Sequence, residues 1–176
     1  MSEIFEMKAG KAINASEISD YKSANYPYPC YGGNGLRGYV KSFNNLGKKT
    51  LIGRQGALCG NVSFASNDFY ATEHAVVVTD KGACESRYIF HMLKYMNLNQ
   101  YKTAGAQPGL SVSRLEQLRI PIPSISEQKR IAAILDKFDA LVGDLSQGLP
   151  AEMAAVKEQY EYYRDKLLSF PNHTLA

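Results

Sequence analysis

Ile120–Phe170 reads IPIPSISEQKRIAAILDKFDALVGDLSQGLPAEMAAVKEQYEYYRDKLLSF, and its periodicity sets the organisation of the chain. The tetrad Ile120-Pro121-Ile122-Pro123 is stiff and extended, and a helix start follows at once. Ser124 with Glu127 three residues on predicts a capping box, in which hydroxyl and carboxylate each satisfy an orphan backbone N–H. Apolar side chains then recur at Ile131, Ile134, Phe138, Leu141 and Leu145 in steps of three and four. After Gly148 and Pro150 the pattern resumes at Met153, Val156, Tyr160, Tyr163, Leu167 and Phe170. Such spacing makes one seam along a helix, and Glu, Lys, Gln and Arg fill the other faces. The seam therefore needs a partner. Roughly 45 residues at about 1.5 Å each give a rod of about 65 Å if continuous, too long to lie within a domain of the remaining size. Gly148-Leu149-Pro150 is open to a kink or a hairpin. Pro150 suits the first position of a new helix, and two helices roughly in line are expected.

Working outward, the 176 residues fit one domain plus an appendage. Hydrophobic residues make up 45% and charged residues 21%, ordinary values for a globular chain. No run approaches 18 apolar residues and MSEIFEMKAGK carries no apolar signal run, so a cytoplasmic protein with no membrane partner is expected. Cys30, Cys59 and Cys84 are an odd number and far apart, which suits reduced thiols better than disulfides or a metal site.

Residues 1–123 carry 14 Lys and Arg against 9 Asp and Glu, net +5, and residues 124–176 carry 6 against 8, net −2. From Tyr21 to Asn67 there is no acid, while Lys22, Arg37, Lys41, Lys48, Lys49 and Arg54 fall there. A basic, aromatic-rich stretch joined to an acidic helix points to an anionic partner at one end and a protein partner at the other.

Ile4–Lys8 is expected as a first strand and Ala15–Ser19 as a helical turn. Four glycines within 32–38 make a backbone that turns repeatedly and lets something approach closely. Strands are expected at Tyr39–Phe43, Thr50–Gly53 and Ala75–Val78, the last β-branched and buried. Ser86–Asn97 reads as an amphipathic helix whose Tyr88, Ile89, Met92, Leu93 and Met96 form core. Ser113–Leu118 reads as a short helix. The fold class is α+β, with a mostly antiparallel curved sheet over residues 3–80, followed by long C-terminal helices. The boundaries are 1–123 for the globular domain, 124–170 for the helical region and 171–176 for a tail.

Catalytic constellations are missing from the sequence. There is no GxxxxGK phosphate loop. Gly33, Gly35 and Gly38 satisfy GxGxxG, but the residues that follow are strand-like where that motif needs a helix. His74, His91 and His173 are scattered. Glu73-His74 has neither nucleophile nor metal spacing beside it and is read as fixing a loop. No methyltransferase cofactor motif and no nuclease pattern occur, so the chain is expected to be no enzyme and to hold no cofactor. Binding suits the residues better. Phosphates are met by Lys, Arg and backbone N–H, guanine by Arg, and adenine by Asn or Gln. Asn34, Arg37, Lys41, Lys48, Lys49, Arg54, Gln55, Asn61 and Gln107 supply that inventory on expected loops. Asn34 and Asn61 serve equally as turn-stabilising residues. Tyr31, a further candidate, and Tyr39 stack on bases or pack in the core, packing being favoured.

Several blocks resemble a known family. Pro121-Ile122-Pro123, Ser126-Glu127-Gln128, IAAILD over Ile131–Asp136 and QYEYYRDKLL over Gln159–Leu168 look like the conserved region of type I restriction-modification specificity subunits. The YGGNG run at 31–35 with Gly38-Tyr39, the 51–62 and 71–78 segments and Gln107-Pro108 resemble its target-recognition domain. The resemblance spans nearly the whole chain. It implies a double-stranded-DNA half-site reader whose helices form an antiparallel coiled coil with a second copy or a companion half-subunit. It also implies docking of methyltransferase subunits that hold S-adenosylmethionine, and a translocase-nuclease subunit for restriction. The helical region would then be a ruler between two reading heads. Members carry two recognition domains and two helical regions, whereas this chain has one of each, which fits either a half-length subunit that dimerises or a fragment of a longer gene. The chain starts almost at the first strand, so a short lead-in is expected to be missing. From the residues alone, a protein-interaction module with a coiled-coil tail remains the rival.

Overall fold

The computed structural model describes residues 1–56, 58–103, 108–145 and 150–170. The chain divides into two compact units, Met1–Ile120 and Pro121–Ala176.

Among its described residues the first unit holds seven strands and two α-helices, β1 (Phe5–Ala9), β2 (Tyr28–Gly32), β3 (Gly35–Val40), β4 (Lys49–Gly53), β5 (Val62–Ala65), β6 (Tyr70–Ala71), β7 (Ala75–Asp80), α1 (Ser86–Tyr95) and α2 (Val112–Glu116), with single 3-10 turns at Ala15–Glu17 and Leu98–Tyr101. They build two sheets where the sequence suggested one. One sheet has the order β1-β7-β4-β5 and the other β3-β2-β6. Every pairing is antiparallel except β2 with β6, which is parallel. The strand expected at 39–43 instead occupies 35–40, because the glycine-rich run folds back on itself as a hairpin.

β7 explains the core. It lies between β1 and β4, and Ala75–Val78 are all buried, as a continuous apolar run in a central strand requires. Successive side chains of a strand point to opposite faces. Val76 and Val78 accordingly join Phe5, Met7, Ile52, Ile89 and Leu93 in one cluster. Ala75 and Val77 join Leu51, Ala65, Phe69 and Ala71 in another. At about 1.5–3 kcal/mol for each large side chain removed from water, these two faces dominate the stability of the unit. α1 is capped by Glu85, whose carboxylate accepts the Tyr88 N–H at 2.8 Å, and it buries the expected Tyr88, Ile89, Met92 and Leu93. Met96 packs against the same cluster, partly buried.

The second unit holds α3 (Ile125–Leu145) and α4 (Pro150–Leu168). In line, Phe138 would stand about 33 Å from Tyr160 and about 37 Å from Tyr163. Their ring centroids are 6.1 and 5.5 Å apart. From Leu145 to Pro150 the chain reaches at most about 18 Å, too little to run back along a helix of about 31 Å. The helices therefore lie antiparallel as a hairpin, and the expectation of one extended rod is corrected. A seam with steps of three and four fits a partner in the same chain as well as one in another.

The seam is consequently part covered. Ile131 is buried, and so are Ala132, Leu135 and Leu168, which the simple spacing passed over. Ile134, Phe138, Val156, Tyr160 and Leu167 are half-buried. Leu141, Val142, Tyr162 and Tyr163 remain exposed. The side chains of Leu145 and Met153 lie outside those described, as do Gly148 and Leu149. Only half of the expected capping box forms. The Glu127 N–H donates to Ser124 Oγ at 3.4 Å, but the Glu127 carboxylate takes a two-pronged bond from Arg130 at 2.8 and 2.6 Å. No helix among the described residues is long and apolar enough to cross a membrane.

Candidate nucleic-acid interface

The β2–β3 hairpin pairs Tyr28 with Val40 and Gly32 with Gly35, reversing through Gly33-Asn34. Gly35 takes a φ of +86°, which a side chain would strain. The tip rests on the exit of β4. A Cβ on Gly53 would lie 1.8 Å from the Gly33 carbonyl oxygen, so only glycine lets these backbones meet.

Beyond Gly53 the chain makes a loop pinned at its neck. The Gly60 N–H donates to Gly53 O at 2.7 Å, and the Gly53 N–H to Asn61 O at 2.8 Å. Arg54 N–H donates to His74 O at 2.9 Å, and Arg54 O accepts from the Leu110 N–H at 2.8 Å. Arg54 and Gln55 are thereby fixed beside the hairpin tip, and Asn61 Nδ2 donates to Asn34 Oδ1 at 3.4 Å across the gap.

The result is an open cleft of about 590 Å³ whose lining includes Asn34, Leu36, Arg37, Gln55, Leu58 and His74. Arg37 and Gln55 are exposed, and neither side chain has a hydrogen-bond partner among the described residues. On one side His74 Nε2 meets Glu73 Oε1 at 3.2 Å. Among the described residues, Arg54 Nε, Glu73 Oε2 and His74 Nδ1 are buried with no hydrogen-bond partner. Below the tip, burial pushes the Cys30 thiol up to about 11; the charge of Arg37 opposes the shift and that of Glu73 adds to it. Both charges are therefore felt at one point of β2.

Of the residues expected to meet DNA, Asn34, Arg37 and Gln55 line this cleft; Asn61 adjoins it through its bond to Asn34, and Arg54 through its backbone bond to His74. Others do not. Lys41 follows Val40 at the far end of the hairpin, about 17 Å along the strands from the tip. Its Nζ sits 5.4 Å from the Tyr26 ring centroid, in a second cleft formed with Ala24–Tyr28. Lys49 Nζ donates to Thr79 Oγ1 at 3.2 Å, and Lys48 is exposed just before β4. Tyr31 does not offer its ring for stacking on a base. That ring packs edge-on against Phe69 at 5.8 Å, so the packing alternative holds. Gln107 lies outside the described residues.

Sequence reasoning passed over Leu36, Leu58 and His74 as cleft residues. The two leucines carried a signal, since each sits among glycines where no core position is available. His74 carried none, because its place depends on which loop it meets. Among the described residues no cluster of His, Cys, Asp and Glu is placed to hold a metal.

The chain is similar to known proteins in both sequence and fold. Residues 1–155 match the family model described as the type I restriction modification DNA specificity domain. The type I restriction enzyme EcoprrI specificity subunit of Escherichia coli is 52% identical over 147 residues, covering 84% of this chain and 37% of that one. A putative type I specificity subunit of Mycoplasma pneumoniae, S.MpnORF289P C-terminus, is 30% identical over 132 residues, covering 75% and 89%. The crystal structure of the type I restriction-modification S subunit from M. genitalium superposes with a TM-score of 0.71 at 20% identity, covering 83% and 39%. The chain thus spans well under half the length of the E. coli relative and of the M. genitalium chain.

Proposed function

The chain belongs to the type I restriction modification DNA specificity family, and on that premise we propose that it reads one half of a bipartite site in double-stranded DNA and brings methyltransferase subunits to it. The observation that carries the reading is the gathering of Asn34, Arg37 and Gln55 in one cleft, with Asn61 bonded to Asn34 beside it, since these are the side chains that address base edges and phosphates. The chain supplies recognition and no reacting group. S-adenosylmethionine belongs to the methyltransferase, which also takes the target base out of the helix. A translocase-nuclease subunit joins for restriction.

The helical hairpin is the docking element. Its exposed Leu141, Val142, Tyr162 and Tyr163 meet a second copy or a companion half, forming the antiparallel coiled coil that separates two reading heads. The ruler is then a limb of about 31 Å rather than a rod of twice that length. If two identical copies assemble about a two-fold axis, the site is an interrupted palindrome.

Co-expression with the methyltransferase subunits, followed by methylome sequencing, tests the reading. One bipartite adenine-methylated motif is expected, and its loss on deleting the gene. A methylome unchanged by the deletion contradicts it. Binding to duplex DNA that falls steeply with salt is expected as well.

A further inference from the structure

The cleft at the ribbon tip has chemistry beyond a general attraction to phosphate. Of the amides that line it, Asn34 is tied to Asn61, whereas the carboxamide of Gln55 has no hydrogen-bond partner among the described residues. Arg37 supplies the guanidinium fork that lines the cleft, exposed and without a hydrogen-bond partner among the described residues. Leu36 and Leu58 expose 53% and 57% of their surface on the same cleft. Glu73, which holds His74 in the wall, sets a carboxylate near the site. That charge repels a phosphate, whereas the exocyclic amino group of a base is compatible with it. The support is the β2–β3 hairpin, whose β2 edge pairs with β6 at Cys30 and Tyr31, so that its tip alone is a two-stranded ribbon, a shape the major groove admits.

We propose that the tip of the β2–β3 hairpin enters the major groove, where Arg37 reads one guanine, Gln55 reads one adenine, and Leu58 packs on the 5-methyl of that adenine's thymine. This assignment rests on the DNA-reading function proposed above and gives it a base content. A guanidinium fork matches O6 and N7 of guanine, and a carboxamide matches N6 and N7 of adenine. A leucine side chain supplies the apolar contact that tells thymine from cytosine.

The test uses the full chain assembled with its methyltransferase subunits, on duplexes carrying the motif found by methylome sequencing. Purines in the half-site are replaced one at a time by 7-deazapurines, and thymines by deoxyuridine. With the wild-type complex, binding is expected to fall about 5- to 150-fold at one guanine and at one adenine. A drop of about fourfold is expected at the thymine paired to that adenine. In Arg37→Ala the sensitivity at the guanine vanishes, and in Gln55→Ala that at the adenine. Both residues are exposed, and the base analogues probe the unmodified protein, so the result does not hang on a variant folding. If no purine is sensitive, or if the variants keep the wild-type sensitivity, the assignment is overturned. Should Arg37→Ala weaken cognate and scrambled duplexes equally, the residue is a phosphate contact; the assignment falls while the DNA-reading function stands. A wild-type complex with no preference for any sequence would overturn the function itself.

Discussion

Six cationic side chains fall between Tyr21 and Asn67 with no acid among them, yet the fold sends most of them to two different places. At the hairpin tip stand the planar group of Arg37 and the amides of Asn34 and Gln55, with Asn61 bonded to Asn34. At the other end of the strands stand the ammonium groups of Lys41, Lys48 and Lys49, one over a tyrosine ring and one on a threonine hydroxyl. A planar fork selects its partner by geometry, whereas an ammonium group is a compact, strongly hydrated point charge. The tip is therefore suited to discriminating bases and the far end to holding phosphates.

The largest effect should come from removing the tip's foundation. Gly53→Val drives a side chain into the Gly33 carbonyl, and sequence-specific methylation should disappear while Lys41 and Lys48 are untouched. A next test separates stability from reading. Leu135→Ala in the helical unit removes a fully buried side chain and should cost about 2–5 kcal/mol in denaturant unfolding, with the methylated motif unchanged in whatever complex survives. Smaller again is the lysine end. Lys41→Ala and Lys48→Ala should each weaken cognate and random duplexes alike and lower the salt slope by about 1. If either changes the motif, the division between the two ends is broken.

The smallest expected effect is at Cys30. Its thiol is raised from 9.0 to about 11, chiefly by burial, so the folded state favours the neutral form. That stabilisation is complete below about pH 9 and is lost as pH rises towards about 11. At pH 8 about one thiol in a thousand is ionised, so labelling should follow opening of the ribbon. DNA bound at the tip should slow it further.

Parts of this arrangement were legible in the sequence. Ala75–Val78 announces a buried central strand because four apolar residues in a row leave no face for solvent. α1 was legible because Tyr88, Ile89, Met92 and Leu93 keep a helical spacing. The pairing of β2 with β6 was not, since it joins Cys30 to Tyr70 across forty residues and no local pattern encodes such a partner. The helical seam was legible as a seam, but its spacing does not say whether Phe138 meets Tyr160 of its own chain. For the cleft, residue type on a loop pointed to Arg37, Gln55 and Asn61. The exclusion of Lys41 and Lys49 required the register of the strands. His74 required knowing that its carbonyl holds Arg54 in place.

Methylome sequencing of Arg37→Lys, assembled with the methyltransferase subunits, addresses the division of labour most directly, because the substitution keeps the charge and removes the fork. The motif should become degenerate at a single guanine, with every other position intact. An unaltered motif methylated at the same or lower occupancy would mean that charge alone acts at the tip, and that the two ends do not differ in kind.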